Sequence, residues 1–148
     1  MKTVTLREVT TDNFREVIQL KLENHEKKYV APNIYSLAQA YVEKNAFAKA
    51  IYADEEVVGF TFYGQFEEDD GTYWVARLMV DTEHRRTGYG ERAMLLAVEH
   101  MQLLEDCEEI FVSFVQGNKD ARALYEKIGF LDTGMVEEEE LVYVFRFA

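Results

Sequence analysis

Arg85-Arg86-Thr87-Gly88-Tyr89-Gly90-Glu91 joins two apolar stretches of different period. Before it, Thr72 to Val80 is dense in Tyr, Trp, Val, Leu and Met and reads as a half-buried strand. After it, Gly88 to about Leu104 sets Met94, Leu95, Val98, Met101 and Leu104 along one side and reads as an amphipathic helix. Glycines at such a strand-to-helix junction let backbone N–H groups come close to an anion. The helix N-terminus adds about half a positive charge. Arg85 and Arg86 supply charge-assisted donors. The segment is a candidate phosphate cradle. It is not a Walker loop, because no Gly-Lys-Ser/Thr occurs. Gly88-x-Gly90-x-x-Ala93 formally fits a dinucleotide fingerprint, but polar residues Asp81 to Thr87 intervene where a tight turn is needed. Glu108 and Glu109 have the spacing of a ribose-binding acid but precede the next strand. A helix-capping turn with solvated arginines is the bland alternative.

Working outward, Val4, Leu6 and Val9 suggest a first strand. Asp12 reads as an N-cap for a helix carrying Phe14, Val17, Ile18 and Leu22, and Pro32 ends that region. Ser36-x-x-Gln39 reads as a capping box opening a second helix to about Lys44. Phe47 to Ala53 and Val57 to Phe66 are strands around the turn Asp54-Glu55-Glu56. Downstream, Ile110 to Val115 is a buried strand, and Lys119 to Ile128 is a helix closed by Gly129. Met135-Val136 and Leu141 to Phe147 form a last antiparallel pair. The order β-α-α-β-β-β-α-β-α-β-β predicts one α/β (α+β) domain over residues 1–148: a mixed, mostly antiparallel twisted sheet of six to seven strands with about four helices. The late β-α-β passage demands a parallel neighbour pair.

Composition narrows the partners. The 148 residues carry 16 basic and 28 acidic side chains, a formal charge of −12, which argues against nucleic acid or anionic membrane as a partner. No apolar run approaches the roughly 20 residues that span a bilayer. The start lacks the apolar stretch of a secretory signal, so the expected location is cytoplasmic. One cysteine, Cys107, excludes an internal disulfide and reads as a buried small residue. His25, His84 and His100 form no metal-binding pattern, so no metal is expected.

Arg-x-x-Gly-x-Gly after a strand resembles the acetyl-CoA pyrophosphate loop of the GNAT superfamily of N-acetyltransferases. Asn118-Lys-Asp-Ala121-Arg-Ala-Leu124-Tyr125-Glu-Lys-Ile-Gly129-Phe130 resembles that superfamily's second signature, at the usual distance downstream. The element order agrees over nearly the whole chain. The stretch from Glu23-Asn24-His25-Glu26 through Pro32-Asn33 and Tyr35-Ser36-Leu37-Ala38 is similar to the substrate-side region of bacterial spermine/spermidine acetyltransferases.

The resemblance implies a set of roles. The backbone of Leu78, Met79 and Val80 would pair with the pantetheine arm of acetyl-CoA, the Leu78 N–H facing the thioester oxygen. Arg85, Arg86, Thr87, Gly88, Tyr89, Gly90 and Glu91 would hold the pyrophosphate. Asn118 would contact the pantetheine side. Tyr125 would protonate the departing thiolate, which suits a phenol of ordinary pKa near 10 against a thiol near 8.5. Trp74 stands where many relatives carry a glutamate base, so a carboxylate acting directly from that place is missing, and a water chain ending on a tyrosine or acid is the default. A polycationic amine needs carboxylates and aromatics along a trough. Glu23 and Glu26 share a helix face, with Tyr35, Tyr73 and Trp74 as candidate aromatics and Glu67 to Asp70 as an extension. A homodimer is a family expectation, with Leu141 to Phe147 as a candidate surface. Two alternatives stay open: another acceptor (an aminoglycoside, a small amine or a protein N-terminus), and acyl-CoA binding without catalysis.

Overall fold

The computed structural model describes residues 1–22, 32–85 and 87–147. Seven strands form one sheet: β1 (Val4–Glu8), β2 (Asn45–Ala53), β3 (Glu56–Gln65), β4 (Tyr73–Val80), β5 (Glu109–Val115), β6 (Leu131–Glu137) and β7 (Glu140–Arg146). Among the described residues, four helices accompany them: α1 (Phe14–Ile18), α2 (Asn33–Val42), α3 (Tyr89–Gln102) and α4 (Lys119–Ile128). The spatial order is β1-β2-β3-β4-β5-β7-β6, and every pairing is antiparallel except β4 with β5. The predicted element order, the mixed sheet and the single parallel pair are all found.

Alternation along β4 divides the core into two faces. Tyr73, Val75 and Leu78 point to the face covered by α3 and α4, where Met94, Ala97 and Met101 pack on Ile110, Val112 and Phe114. Trp74 and Met79 point to the other face, where Val17 of α1 and Leu37 and Ala40 of α2 pack on Phe60 and Phe62. The alternation survives a β-bulge. Arg77 is opposite Phe62 and Val75 opposite Tyr63, so Ala76 has no partner on β3. Gly59 lets β3 close on the end of β4, opposite Val80, because a Cβ there would lie 2.3 Å from the Met79 carbonyl oxygen.

Several local readings need correction. The first helix is one short turn and a half, capped at Asn13 rather than Asp12. Asn13 Oδ1 takes the Thr10 N–H at 2.8 Å, and its Nδ2 donates to the Glu8 carbonyl, so the asparagine is tied to the strand end. The second helix starts at Asn33, not at the Ser36 capping box. Pro32 occupies the N-cap with φ −60°, and Ser36 is buried within the helix. Leu141 to Phe147 is not a loose apolar tail. Its residues through Arg146 belong to β7, paired on both sides, and Val142, Tyr143 and Val144 are buried. Cys107 is buried, and burial pushes its thiol up to about 11, which suits an inert packing residue. Among the described residues, no helix is long and apolar enough to cross a membrane.

Candidate active site

β4 and β5 run parallel but pair only at Tyr73 with Ile110 and Trp74 with Phe111. Beyond those pairs the strands have no mutual ladder, although β5 stays paired with β7 as far as Val115. From Val75 onward, the β5-facing edge of β4 therefore presents backbone donors and acceptors to an opening in the sheet. Leu78, Met79 and Val80 lie on that stretch, Leu78 half-buried and the other two buried.

The loop at the end of β4 is built from local bonds. Asp81 caps a single 3-10 turn by accepting the Glu83 N–H at 3.0 Å, and its second oxygen accepts the Lys21 N–H at 2.8 Å. Arg85 folds back, its Nε donating to the Val80 carbonyl at 2.8 Å. Thr87 Oγ1 donates to the His84 carbonyl at 2.6 Å. Gly88 caps α3 with φ +82°, a left-handed conformation that a side chain penalises, so glycine is required for its backbone. Gly90 opens the first turn of α3, and the Tyr89 side chain is buried. Glu91 pairs with Lys127 at 2.7 Å, so it joins α3 to α4. Arg86 lies outside the described residues.

Tyr125 projects from α4 and is half-buried between Phe114 and Phe130, ring centroids 5.6 and 5.7 Å away. Burial first, and the Glu140 carboxylate second, push its phenol up to about 12. The group is therefore a protonated donor at neutral pH, and its hydroxyl makes no hydrogen bond among the described residues. Asn118 is the N-cap of α4, its Oδ1 accepting the Ala121 N–H at 3.1 Å. Its amide oxygen is thus committed to the helix, and only Nδ2 stays available for a ligand.

The candidate acceptor residues separate. Trp74 lies on the α1–α2 face at the closed end of the opening, its ring 5.3 Å from Phe111 and its Nε1 donating to Thr72 Oγ1 at 2.8 Å. Tyr73 is turned the other way. It is buried under α3, and its hydroxyl donates to Asp106 at 2.5 Å. Burial and that carboxylate raise its pKa, so it acts as a core residue. Tyr35 stands exposed on α2. Glu23 and Glu26 lie outside the described residues. Glu43 at the end of α2, Asp70 in the β3–β4 loop and Glu137 on β6 each come within electrostatic reach of Asp69 in that loop. After burial, their charges raise the Asp69 carboxyl.

One residue of this face was missed by sequence reasoning. Arg77 is 6% exposed, and its Nε donates to Asn33 Oδ1 at 2.6 Å. Asn33 Nδ2 in turn donates to the Val17 carbonyl at 2.9 Å. The pair fastens the end of α1 and the start of α2 across β4, next to Leu78. Burial pulls the guanidinium down to about 10, and its Nη1 is buried without a hydrogen-bond partner. An arginine inside an otherwise apolar strand was the available signal.

Comparison with known proteins places this geometry. The model of the acetyltransferase (GNAT) family matches residues 7–130. A spermine/spermidine N(1)-acetyltransferase of Bacillus subtilis is 25% identical over 139 residues, covering 90% of this chain and 91% of that protein. Among solved structures, a domain from Methanocaldococcus jannaschii superposes with a TM-score of 0.80 at 13% identity, covering 99% of this chain and all of the other. Spermidine N-acetyltransferase from Vibrio cholerae, solved with CoA and spermine, superposes with a TM-score of 0.74 at 16% identity, covering 95% and 92% of the two chains.

Proposed function

The chain belongs to the acetyltransferase (GNAT) family, and from that premise we propose that it transfers an acetyl group from acetyl-CoA to a primary amine of a polyamine such as spermine or spermidine. The observation that carries the reading is the opening between β4 and β5, with a glycine-capped helix on one flank and an unbonded, protonated phenol on the other. Such an opening fits a thioester laid along the free edge of β4. Backbone N–H groups there, Leu78 first, would stabilise the oxyanion, a contribution of about 2.7–4 kcal/mol when one donor is removed. The Gly88 turn and the first turn of α3 would take the diphosphate. Asn118 would reach the pantetheine arm through Nδ2, and Arg86 would add charge to the loop. Amine and thioester meet in one ternary complex, without an acyl-enzyme, and Tyr125 protonates the sulfur as it leaves.

The acceptor assignment rests on charge and on kinship. Acids from α2, the β3–β4 loop and β6 lie close enough to raise the Asp69 carboxyl, an environment that favours a polycation. The curated Bacillus subtilis relative is named for spermine and spermidine. Glu23 and Glu26 would add two carboxylates, and Trp74 with Tyr35 would offer aromatic surface to the methylenes. The test is to incubate the protein with acetyl-CoA and a panel of amines, following release of free thiol. Release with spermine or spermidine is expected. Release with a different amine alone would overturn the polyamine assignment. No release with any amine would favour a non-catalytic acyl-CoA-binding module.

A further inference from the structure

A polyamine nitrogen arrives as an ammonium ion and must lose a proton before its lone pair can attack. With Trp74 where a carboxylate was sought, β4 offers no base, because its only ionisable residue on the α1–α2 face is Arg77. Register and alternation identify the other candidates. The ionisable side chains that β5 and β7 put on this face are Glu109, Glu140 and Arg146. Glu109 and Arg146 pair with each other at 3.1 Å, at the end where β4 and β5 still touch. Glu140 is left. It sits opposite Val115, on the stretch of β5 that has parted from β4. Its Oε1 accepts a hydrogen bond from Ser113 Oγ at 3.1 Å, and its Oε2 makes none among the described residues. The residue is half-buried and close enough to Tyr125 for its charge to act on the phenol.

We propose that Glu140, held by Ser113, is the carboxylate that takes the proton from the attacking amine. The assignment presupposes the acetyl transfer proposed above. An N–H proton of the ammonium moves to Oε2. The freed lone pair forms the C–N bond to the thioester carbonyl carbon, and the C–S bond breaks with its electron pair on sulfur. The thiolate takes the Tyr125 proton, the second proton shed by the nitrogen restores the phenol, and Glu140 releases its proton to solvent. Acid and base would thus act from opposite faces of the sheet, meeting at the opening. Among the described residues, the titratable groups placed beside Glu140 are Tyr125 from α4, on which its charge acts, and Glu137, directly across from it on β6. Ser113 on β5 is neutral.

The test is the pH dependence of kcat for Glu140→Gln and Ser113→Ala with acetyl-CoA and spermine. Glu140→Gln should lower kcat about 100-fold near neutral pH, within the range of general base catalysis, and lose the acidic limb, its rate climbing instead as the free amine becomes populated. Ser113→Ala keeps the carboxylate but removes a donor to its charged form, so the acidic limb should move to higher pH. Ser113→Ala also keeps the test open should Glu140→Gln not fold. A Glu140→Gln enzyme that melts like the parent and keeps its kcat and acidic limb would overturn the proposal, as would a Ser113→Ala profile superposable on the parent's. Either outcome, with the parent active on spermine, leaves the acetyltransferase reading standing. A parent inactive on every amine sinks that reading and this assignment together.

Discussion

The two faces of the sheet are built by different means. On the α3–α4 face the candidate site is mostly backbone: the free edge of β4, the left-handed Gly88 and the first turn of α3, with Tyr125 as the side chain proposed for the chemistry. On the α1–α2 face it is side chains from distant segments: Trp74 on Phe111, Arg77 on Asn33, Glu140 on Ser113, and acids from three elements around Asp69. A surface made of backbone needs closely spaced glycines and a helix start, and here Gly88, Gly90 and the start of α3 lie together in the chain. A surface made of side chains is assembled by strand order, and nothing in the sequence marks its members as neighbours.

Tyr125→Phe attacks the first face at its only chemical side chain. It should lower kcat by about 100- to 1,000-fold, the scale of a lost general acid, while acetyl-CoA affinity by calorimetry stays within a factor of two to three of the parent. Unchanged turnover, with chemistry shown to be rate-limiting, would remove the phenol from the reaction. Asn33→Ala attacks the second face. It strips the buried Arg77 guanidinium of its partner and removes one of two donors to the Val17 carbonyl, which keeps the Leu20 N–H, so urea denaturation should show a loss of about 3 kcal/mol. The surviving enzyme should show a raised KM for the amine and a nearly constant KM for acetyl-CoA. A shift confined to acetyl-CoA would break the division between the faces.

Gly88→Ala is smaller. It forces a side chain into the left-handed region, costing about 1–2 kcal/mol, and should weaken acetyl-CoA binding without altering the KM for amine. The smallest effect lies away from both sites. Burial first, and Lys49 second, hold the His100 imidazole below its ordinary 6.5, where its Nδ1 meets the Tyr63 hydroxyl at 2.6 Å. Just below pH 6.5 the unfolded chain therefore binds more protons than the native one, and stability should fall with pH there. His100→Gln, which keeps a partner for Tyr63, should flatten that slope in chemical denaturation between about pH 7 and 5.5.

The same contrast explains what could be read beforehand. Period gave α3 and the strands around it, and the closing Gly129 marked α4, because each turns a regular apolar face to the sheet. The ends of α1 and α2 were misplaced because Asn13 and Pro32 act there through strand contacts and a fixed φ, not through a capping pattern. Tyr73 and Trp74 looked equivalent as neighbouring aromatics, yet successive strand residues point to opposite faces, and only Trp74 reaches the α1–α2 side. Arg77 drew no reading from the sequence, although it interrupts an apolar run. Glu140 was hidden in an acidic run, and only the β5–β7 register separates it from Glu137 and its neighbours.

Amide hydrogen exchange with each ligand alone addresses the two-sided site most directly. Acetyl-CoA should slow exchange at Leu78 to Val80 and at Gly88 to Glu91. Spermine, added without it, should slow exchange in α2, in the loop from Glu67 to Asp70 and at the β6–β7 turn, leaving the Gly88 turn unchanged. Protection of the same segments by both ligands, or none by spermine at concentrations that support turnover, would contradict an acceptor site on the α1–α2 face.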